Sequence, residues 1–523
     1  VPGIVVGGVT GGLMRRIARR LAVLCTLALC TCTTALHEPR LDPPSDVPPR
    51  STQRDERLKV HLQSGDLVVL EMWARRVDTL AGSGTRYGLD RRDGRHGFFL
   101  LPFDSIALVE TETRAGSRIN PVPGMAVWTT LWAVVTAACV AEPKSCFGSC
   151  PTFYVATDSV EVLAAEGFSA SIARVLEARD TDALFAARSA GGPFTVRMRN
   201  EALETHAVRS LTLLATPRPR GGRVLASGDG QFFPAMALRA AGACRAPEGD
   251  CAASLAALDD RERRSAADST DLAARETLEL TFPADTGRLG LVLAARQSLM
   301  STYLFYETLG ALGSRAGATL AAIERGGRAA AERAMGMARL IAPIELEVLA
   351  GGRWTRIGTH DEAGPLATQV GVLPFIHRDP GPIHIRLTAA RGAWRFDWIA
   401  LARLGDPVTP LALAPQAVRR NGRLDTAALA VLRDPEAHLV TYPGDTYDVE
   451  YRLPPAGGEW ELFLESEGYY YEWMRSEWLA DENPALSLLA LTDPAAALRA
   501  FAPGFKRAEP AMDRLFWASR FGR

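Results

Sequence analysis

Short runs in which apolar and polar residues alternate dominate the chain. The clearest lie past Pro343. Ile344, Leu346 and Val348 alternate with Glu345 and Glu347, Ile383, Ile385 and Leu387 with His384 and Arg386, and Trp394, Phe396 and Trp398 with Arg395 and Asp397. A period of two is that of a half-buried strand. Residues 58–113 carry shorter runs of the same kind, punctuated by Ser64-Gly-Asp66, Gly82, Gly84 and Asp93-Gly94. Strands are expected at 152–156, 160–165, 194–198, 206–215, 223–226, 278–282 and 289–294, an even spacing that suits a sandwich. Asp180-Thr-Asp182 and the Ala-rich piece after it are expected to form one short helix.

The period changes at residue 297. Leu299, Tyr303, Tyr306 and Gly310 recur at helical spacing, and a second Ala-rich helix is expected from Ala316 towards Leu340, bent at Gly326-Gly327. After a Pro-containing connection over 406–424, the strand 447–453 and its expected hairpin partner 460–464 precede further helices.

These signals predict a mainly β protein with α segments, α+β and multidomain. The expected partition is a leader over 1–36, a Pro-rich linker over 37–57, a small β-meander over 58–113, an apolar helix over 120–145, a β-sandwich over 146–296, a helical insert over 297–340, a β domain over 341–405, and a C-terminal hairpin with helices over 406–523. The meander resembles small SH3- or Sm-like folds. The 341–405 strands resemble the later strands of a galactose-binding-like jelly roll. Both are likenesses of fold and imply no ligand.

The leader changes the picture of compartment. Arg15, Arg16, Arg19 and Arg20 precede an apolar run over 21–29, the order of a bacterial secretory signal. Leu29-Cys-Thr-Cys32 then places cysteine where a lipoprotein is cleaved, and Cys32 is the expected lipidation site, an ordinary signal peptide or an uncleaved anchor being the alternative. Residues 124–141, with Trp128 and Trp132, reach the lower limit for spanning a bilayer. Arg114, Arg118 and Lys144 flank the run without a consistent charge bias, so a helix buried between domains satisfies more constraints than a crossing. With 59 basic and 60 acidic residues the net charge is −1, which leaves no electrostatic footprint for nucleic acid.

The segment Lys144-Ser-Cys146-Phe-Gly-Ser-Cys150-Pro-Thr-Phe-Tyr154 closes the apolar run. Gly148 and Pro151 favour a tight loop, in which Cys146 and Cys150 come within disulfide range or pair with other cysteines. Half of a metal site is the alternative, but no second C-x2-C or His pair stands near it. Cys244 and Cys251 flank Pro247 and Gly249 and form a natural clasp, while Cys139 is expected as a buried thiol. The Lys144–Tyr154 segment, with Asn200-Glu-Ala-Leu-Glu-Thr-His206 and Arg296-Gln-Ser-Leu-Met-Ser-Thr-Tyr-Leu-Phe-Tyr306, resembles landmarks of a family of bacterial envelope lipoproteins. That family brings no activity to transfer. What it implies is an envelope location facing the periplasm or exterior, and a membrane partner through the lipid.

Candidate chemistry is sparse. The Gly-rich nucleotide motifs, G-x-S-x-G and H-E-x-x-H are absent from the sequence, so no catalytic residue, metal or cofactor is implied. Glu204 and His206 share one face of an extended chain and could share a metal or a proton. An idle polar sheet face is the ordinary explanation of such a pair. Glu465, Glu467, Tyr469, Trp473 and Trp478 combine carboxylates with aromatics, the components of a glycan site. Helical packing of Tyr470, Met474 and Trp478 is the competing explanation. The expectation is a lipid-anchored, non-catalytic envelope protein that binds a glycan or an envelope protein. The alternatives are a carbohydrate-active hydrolase using carboxylates near Glu465, or an accessory subunit of an envelope machine.

Overall fold

The computed structural model describes residues 31–42, 47, 49–50, 57–62, 66–88, 94–121, 150–157, 160–202, 204–361, 364–455, 457–472 and 481–518. Strands hold 48% of the residues and helices 21%, which makes the protein mainly β, with several antiparallel sheets and a few helices. Cys139, Cys146 and the apolar run 124–141 lie outside the described residues. Among those described, no helix is long and apolar enough to cross a membrane.

The N-terminal sheet is a meander, Leu58–Leu62, Leu67–Arg75, Thr79–Tyr87 and Arg95–Pro102, closed by Ile106–Pro121 pairing back onto the first strand. Val60, Val68, Leu70, Leu80, Leu101 and Val109 form its small core. A Cβ on Gly84 would sit 2.0 Å from the Val69 carbonyl oxygen, so the glycine permits the close approach of neighbouring strands beside the bulge at Leu70–Met72. Thr31–Asp42 adds an outer strand beside Ile106–Pro121, with Cys32 opposite Asn120. Residues expected to be leader and tether therefore belong to a sheet. Pro39 is tolerated because this is an edge strand.

Four further sheets stack as layers. The first orders Arg423–Leu424, Ala417–Arg420, Thr446–Leu453, Gly192–Arg199, Thr152–Ala156 and Glu161–Glu166. The second orders Leu411–Leu413, Glu204–Pro217, Trp460–Glu472 and Ala178–Ala183. The third holds Arg223–Ala226, Phe232–Ala240, Trp394–Leu404, Gly287–Gln297 and Gln369–His377. The fourth holds Ala243–Ala246, Arg275–Phe282, Ile383–Ala390, Ile344–Ala350 and Arg353–His360, with Gly249–Asp250 at its edge.

Three cores separate the layers. Phe153, Val196 and Met198 meet Leu211, Leu213, Leu462 and Leu464 between the first two. Leu214 and Phe463 meet Val224, Val292, Val372 and Ala400 between the second and third. Leu289, Leu291, Leu293 and Leu401 meet Leu280, Ile385, Leu346 and Val348 between the third and fourth. Successive residues of one strand thus enter different cores, and apolar residues line both faces of inner strands such as Gly287–Gln297.

Several expectations change. Gly287–Gln297 lies between Trp394–Leu404 and Gln369–His377, so the sheets do not divide at 296/297. The third and fourth layers are built from 223–404, inserted into a sandwich made from 152–217 and 411–472. Residues 447–453 and 460–464 are not hairpin partners, since their strands lie in different layers. Pro454 and Pro455 cannot donate to a continuing ladder, and the chain crosses over there. Asp180-Thr-Asp182 belongs to the strand Ala178–Ala183 rather than to a helix, because that segment pairs with Trp460–Glu472.

The helical insert follows its expected course: Met300–Leu312, Ala316–Arg325, Arg328–Ala334 and Gly336–Ile341, with Gly327 at φ +70° between the second and third. The C-terminal helices Pro484–Thr492, Pro494–Ala508 and Met512–Ala518 pack against it. Asn483 and Asp493 cap the first two by accepting from the amides of Leu486 and Ala496.

Candidate functional site: a cavity lined by buried carboxyls

A cavity of about 900 Å³ lies where the helical insert meets the edges of the first two layers and the N-terminal sheet. Its helical wall is apolar, with Leu304, Phe305, Leu309, Leu320, Ile323 and Met337. The insert is docked by buried polar contacts. Glu324 accepts from the Tyr471 hydroxyl at 2.9 Å and from the Val175 amide at 3.1 Å, while the Tyr306 hydroxyl donates to Glu472 at 3.3 Å.

The opposite wall carries acids. Glu166 ends the first-layer edge strand and is 2% exposed. Its Oε2 accepts from the amides of Leu366 at 2.7 Å and Ala367 at 3.4 Å, while Oε1 is buried without a partner. A Cβ on Gly364 would lie 2.3 Å from this carboxyl carbon, so glycine lets the loop close over it. Asp180, in the second layer, accepts through Oδ2 from the Phe168 amide at 3.1 Å and leaves Oδ1 buried and unpartnered. Phe168, two residues beyond Glu166, holds a left-handed φ of +38°, a strained conformation that turns its amide onto Asp180. Burial pushes the Glu166 carboxyl up to about 7, and the nearby Asp180 charge adds to this against the opposing pull of the two amides and Arg296. Burial likewise raises Asp180 to about 6.

Beside them, Glu204 and His206 are brought together as the sequence suggested, with Nε2 and Oε2 3.0 Å apart. They are not an idle polar face, for both are buried, and the His206 ring stands edge-on to Tyr470. Cys150 is a free, buried thiol, and Cys146, with which it was expected to pair, lies outside the described residues. Burial, then the charges of Glu166 and Glu204, push its thiol well above the usual range. The Cys244–Cys251 clasp is present, with Cα atoms 5.0 Å apart. Among the described residues, no three His, Cys, Asp or Glu side chains are grouped to hold a metal ion.

Of the expected glycan platform, Glu465, Glu467 and Tyr469 are among the described residues. Glu467 pairs with Arg179 at 3.1 Å and with Arg209 at 3.7 Å, and Glu465 with Arg179 at 3.6 Å. Tyr469, Tyr470 and Tyr471 continue the strand Trp460–Glu472 and are buried, so none offers an exposed ring face. Trp473 and Trp478 lie outside the described residues. Sequence reasoning missed Glu166 and Asp180. The available signal was a lone acid closing an apolar strand before glycine, Leu163-Ala-Ala-Glu166-Gly167.

No family model matches the chain, and no curated protein matches it. Among solved structures, the secreted serine protease VesC from Vibrio cholerae aligns at 6% identity with a TM-score of 0.14, covering 69% of this chain and 98% of that one. The structure of infectious bursal disease virus Gt strain aligns at 11% identity with a TM-score of 0.10, covering 87% of this chain and 83% of that one. Neither likeness carries an argument. The class that fold and site define is a mainly β, multilayer protein with a partly open, largely apolar cavity.

Proposed function

We propose that the protein is a non-catalytic binding protein of the bacterial envelope, which takes an elongated, largely apolar ligand into the cavity. One observation carries this reading: a partly open cavity of about 900 Å³ lined by apolar helix faces and by a few buried polar groups, the composition of a small-molecule site. Anchoring rests on Arg15 to Leu29 and on Cys32, whose lipidation would tether the sheet that contributes Lys59, His61 and Tyr87 to the cavity. A hydrolase using Glu465 gains no support, because that carboxylate and Glu467 are already held by arginines.

The neutral dye N-phenyl-1-naphthylamine tests the cavity. One dye is expected to bind per chain with enhanced emission, and Leu309→Trp, which fills the apolar wall, is expected to abolish it while the melting temperature holds. Failure of the parent to bind the dye, or equal binding by the variant, would refute the reading. For the anchor, Cys32→Ser is expected to abolish palmitate labelling and release the protein from the membrane fraction. Labelling that persists in Cys32→Ser would remove Cys32 as the anchor.

A further inference from the structure

We propose that Glu166 and Asp180 form the head-group site of this cavity and select a monocationic amphiphile, an alkyl- or arylammonium, over neutral and anionic ones of equal length. The inference rests on the binding reading above and adds the charge of the ligand. Its basis is a pair of oxygens, Glu166 Oε1 and Asp180 Oδ1, both buried and both without a hydrogen-bond partner. Each carboxyl spends its other oxygen on backbone amides: Glu166 on Leu366 and Ala367, Asp180 on Phe168. Those amides hold the two groups in place, and Phe168 couples them through the short turn that follows Glu166.

Both acids line the cavity whose far wall is Leu304, Phe305, Leu309 and Ile323. Buried acceptors left open cost free energy until a donor arrives, and two acids side by side repel once both ionise. A primary ammonium answers both problems, because it has three donors and one positive charge. Lys59 and Arg325 also line the cavity, while two other arginines near the acids are engaged elsewhere. Arg179 pairs with Glu465 and Glu467, and Arg296 with Glu262 at 2.8 Å and with the Pro365 carbonyl at 2.6 Å. A carboxylate head group would meet like charge, and an alcohol offers a single donor.

Calorimetric titration of the full chain at pH 7.5 with decylammonium, decanol and decanoate tests the inference. Decylammonium is expected to bind about tenfold or more tightly than decanol, with decanoate weakest. The double variant Glu166→Gln/Asp180→Asn is expected to remove the preference, bringing the decylammonium-to-decanol affinity ratio to within about twofold of one. Decanol binding as tightly as decylammonium, or an ammonium preference that survives the double variant, would overturn the head-group assignment and leave the cavity reading standing. Absence of binding by all three would overturn the cavity reading itself. Should the double variant not fold, the ammonium-to-decanol ratio of the parent decides.

Discussion

Replacing Glu166 by Gln isolates the cost of a buried carboxylate. Gln keeps an oxygen for the Leu366 and Ala367 amides and occupies the same volume, so the packing is preserved while the charge is lost. In the folded protein Glu166 titrates at about 7 against an ordinary 4.5. Between those values the folded chain holds the proton more tightly than the unfolded one. The stability it contributes is therefore complete below about 4.5 and is lost as pH rises through about 7. From pH 5 to pH 8 this one group removes about 2.5 kcal/mol from the parent. Relief of Asp180 in the variant acts in the same direction. Urea unfolding of parent and variant, followed by tryptophan emission at both pH values, gives the double difference in which other titrating groups cancel. The variant should gain about 2 to 3 kcal/mol on the parent between pH 5 and pH 8. Parallel behaviour at the two pH values would show that Glu166 ionises freely, and the account of the site would fail.

Other expectations follow from particular contacts. Reducing Cys244–Cys251, which closes an edge hairpin, should cost about 2.5 kcal/mol by loop entropy, read as a lower urea midpoint in dithiothreitol. Glu461 holds Arg223 at 2.6 and 2.8 Å between the second and third layers. Glu461→Ala should cost about 3 to 5 kcal/mol, and Arg223→Met with Glu461→Leu far less, a contrast that urea melts of both variants measure. Tyr469→Ala should cost about 3 to 5 kcal/mol of stability as a core cavity; an unchanged urea midpoint would contradict its burial. Cys150 should resist iodoacetamide at pH 8 until urea unfolds the protein, which mass spectrometry of the peptide reads directly.

The strands were legible where one face is polar. Ile344-Glu-Leu-Glu-Val and Ile383-His-Ile-Arg-Leu lie in the outermost layer, and water on one side preserves their alternation. Leu289-Gly-Leu-Val-Leu-Ala-Ala, apolar on both faces, marks an inner layer, yet such a run does not say which two sheets it separates. Pairing between 152–217 and 411–472 spans nearly two hundred residues and leaves no local signal, so contiguous domains were the natural expectation. The bend at Gly326-Gly327 was visible because glycine interrupts a helix through local energetics. The acid pair was hidden for the opposite reason. Glu166 and Asp180 become special only when folding removes water from both.

The inserted arrangement imposes an order on biogenesis. Strands 152–199 and 204–217 leave the ribosome long before Thr446–Leu453 and Trp460–Glu472, the neighbours that complete their sheets. Until then Phe153, Val196, Leu211 and Leu213 stay uncovered with open strand edges, while 223–404 holds all the strands of its own two sheets and can collapse first. Ala215 and Leu411 are paired neighbours, so the insert leaves and rejoins the outer sandwich at one point. Once folded, it acts as a clamp that brings distant halves of the chain together. A partly synthesised molecule is thus a chaperone client by construction, and its yield should depend on a holdase more than on its final stability.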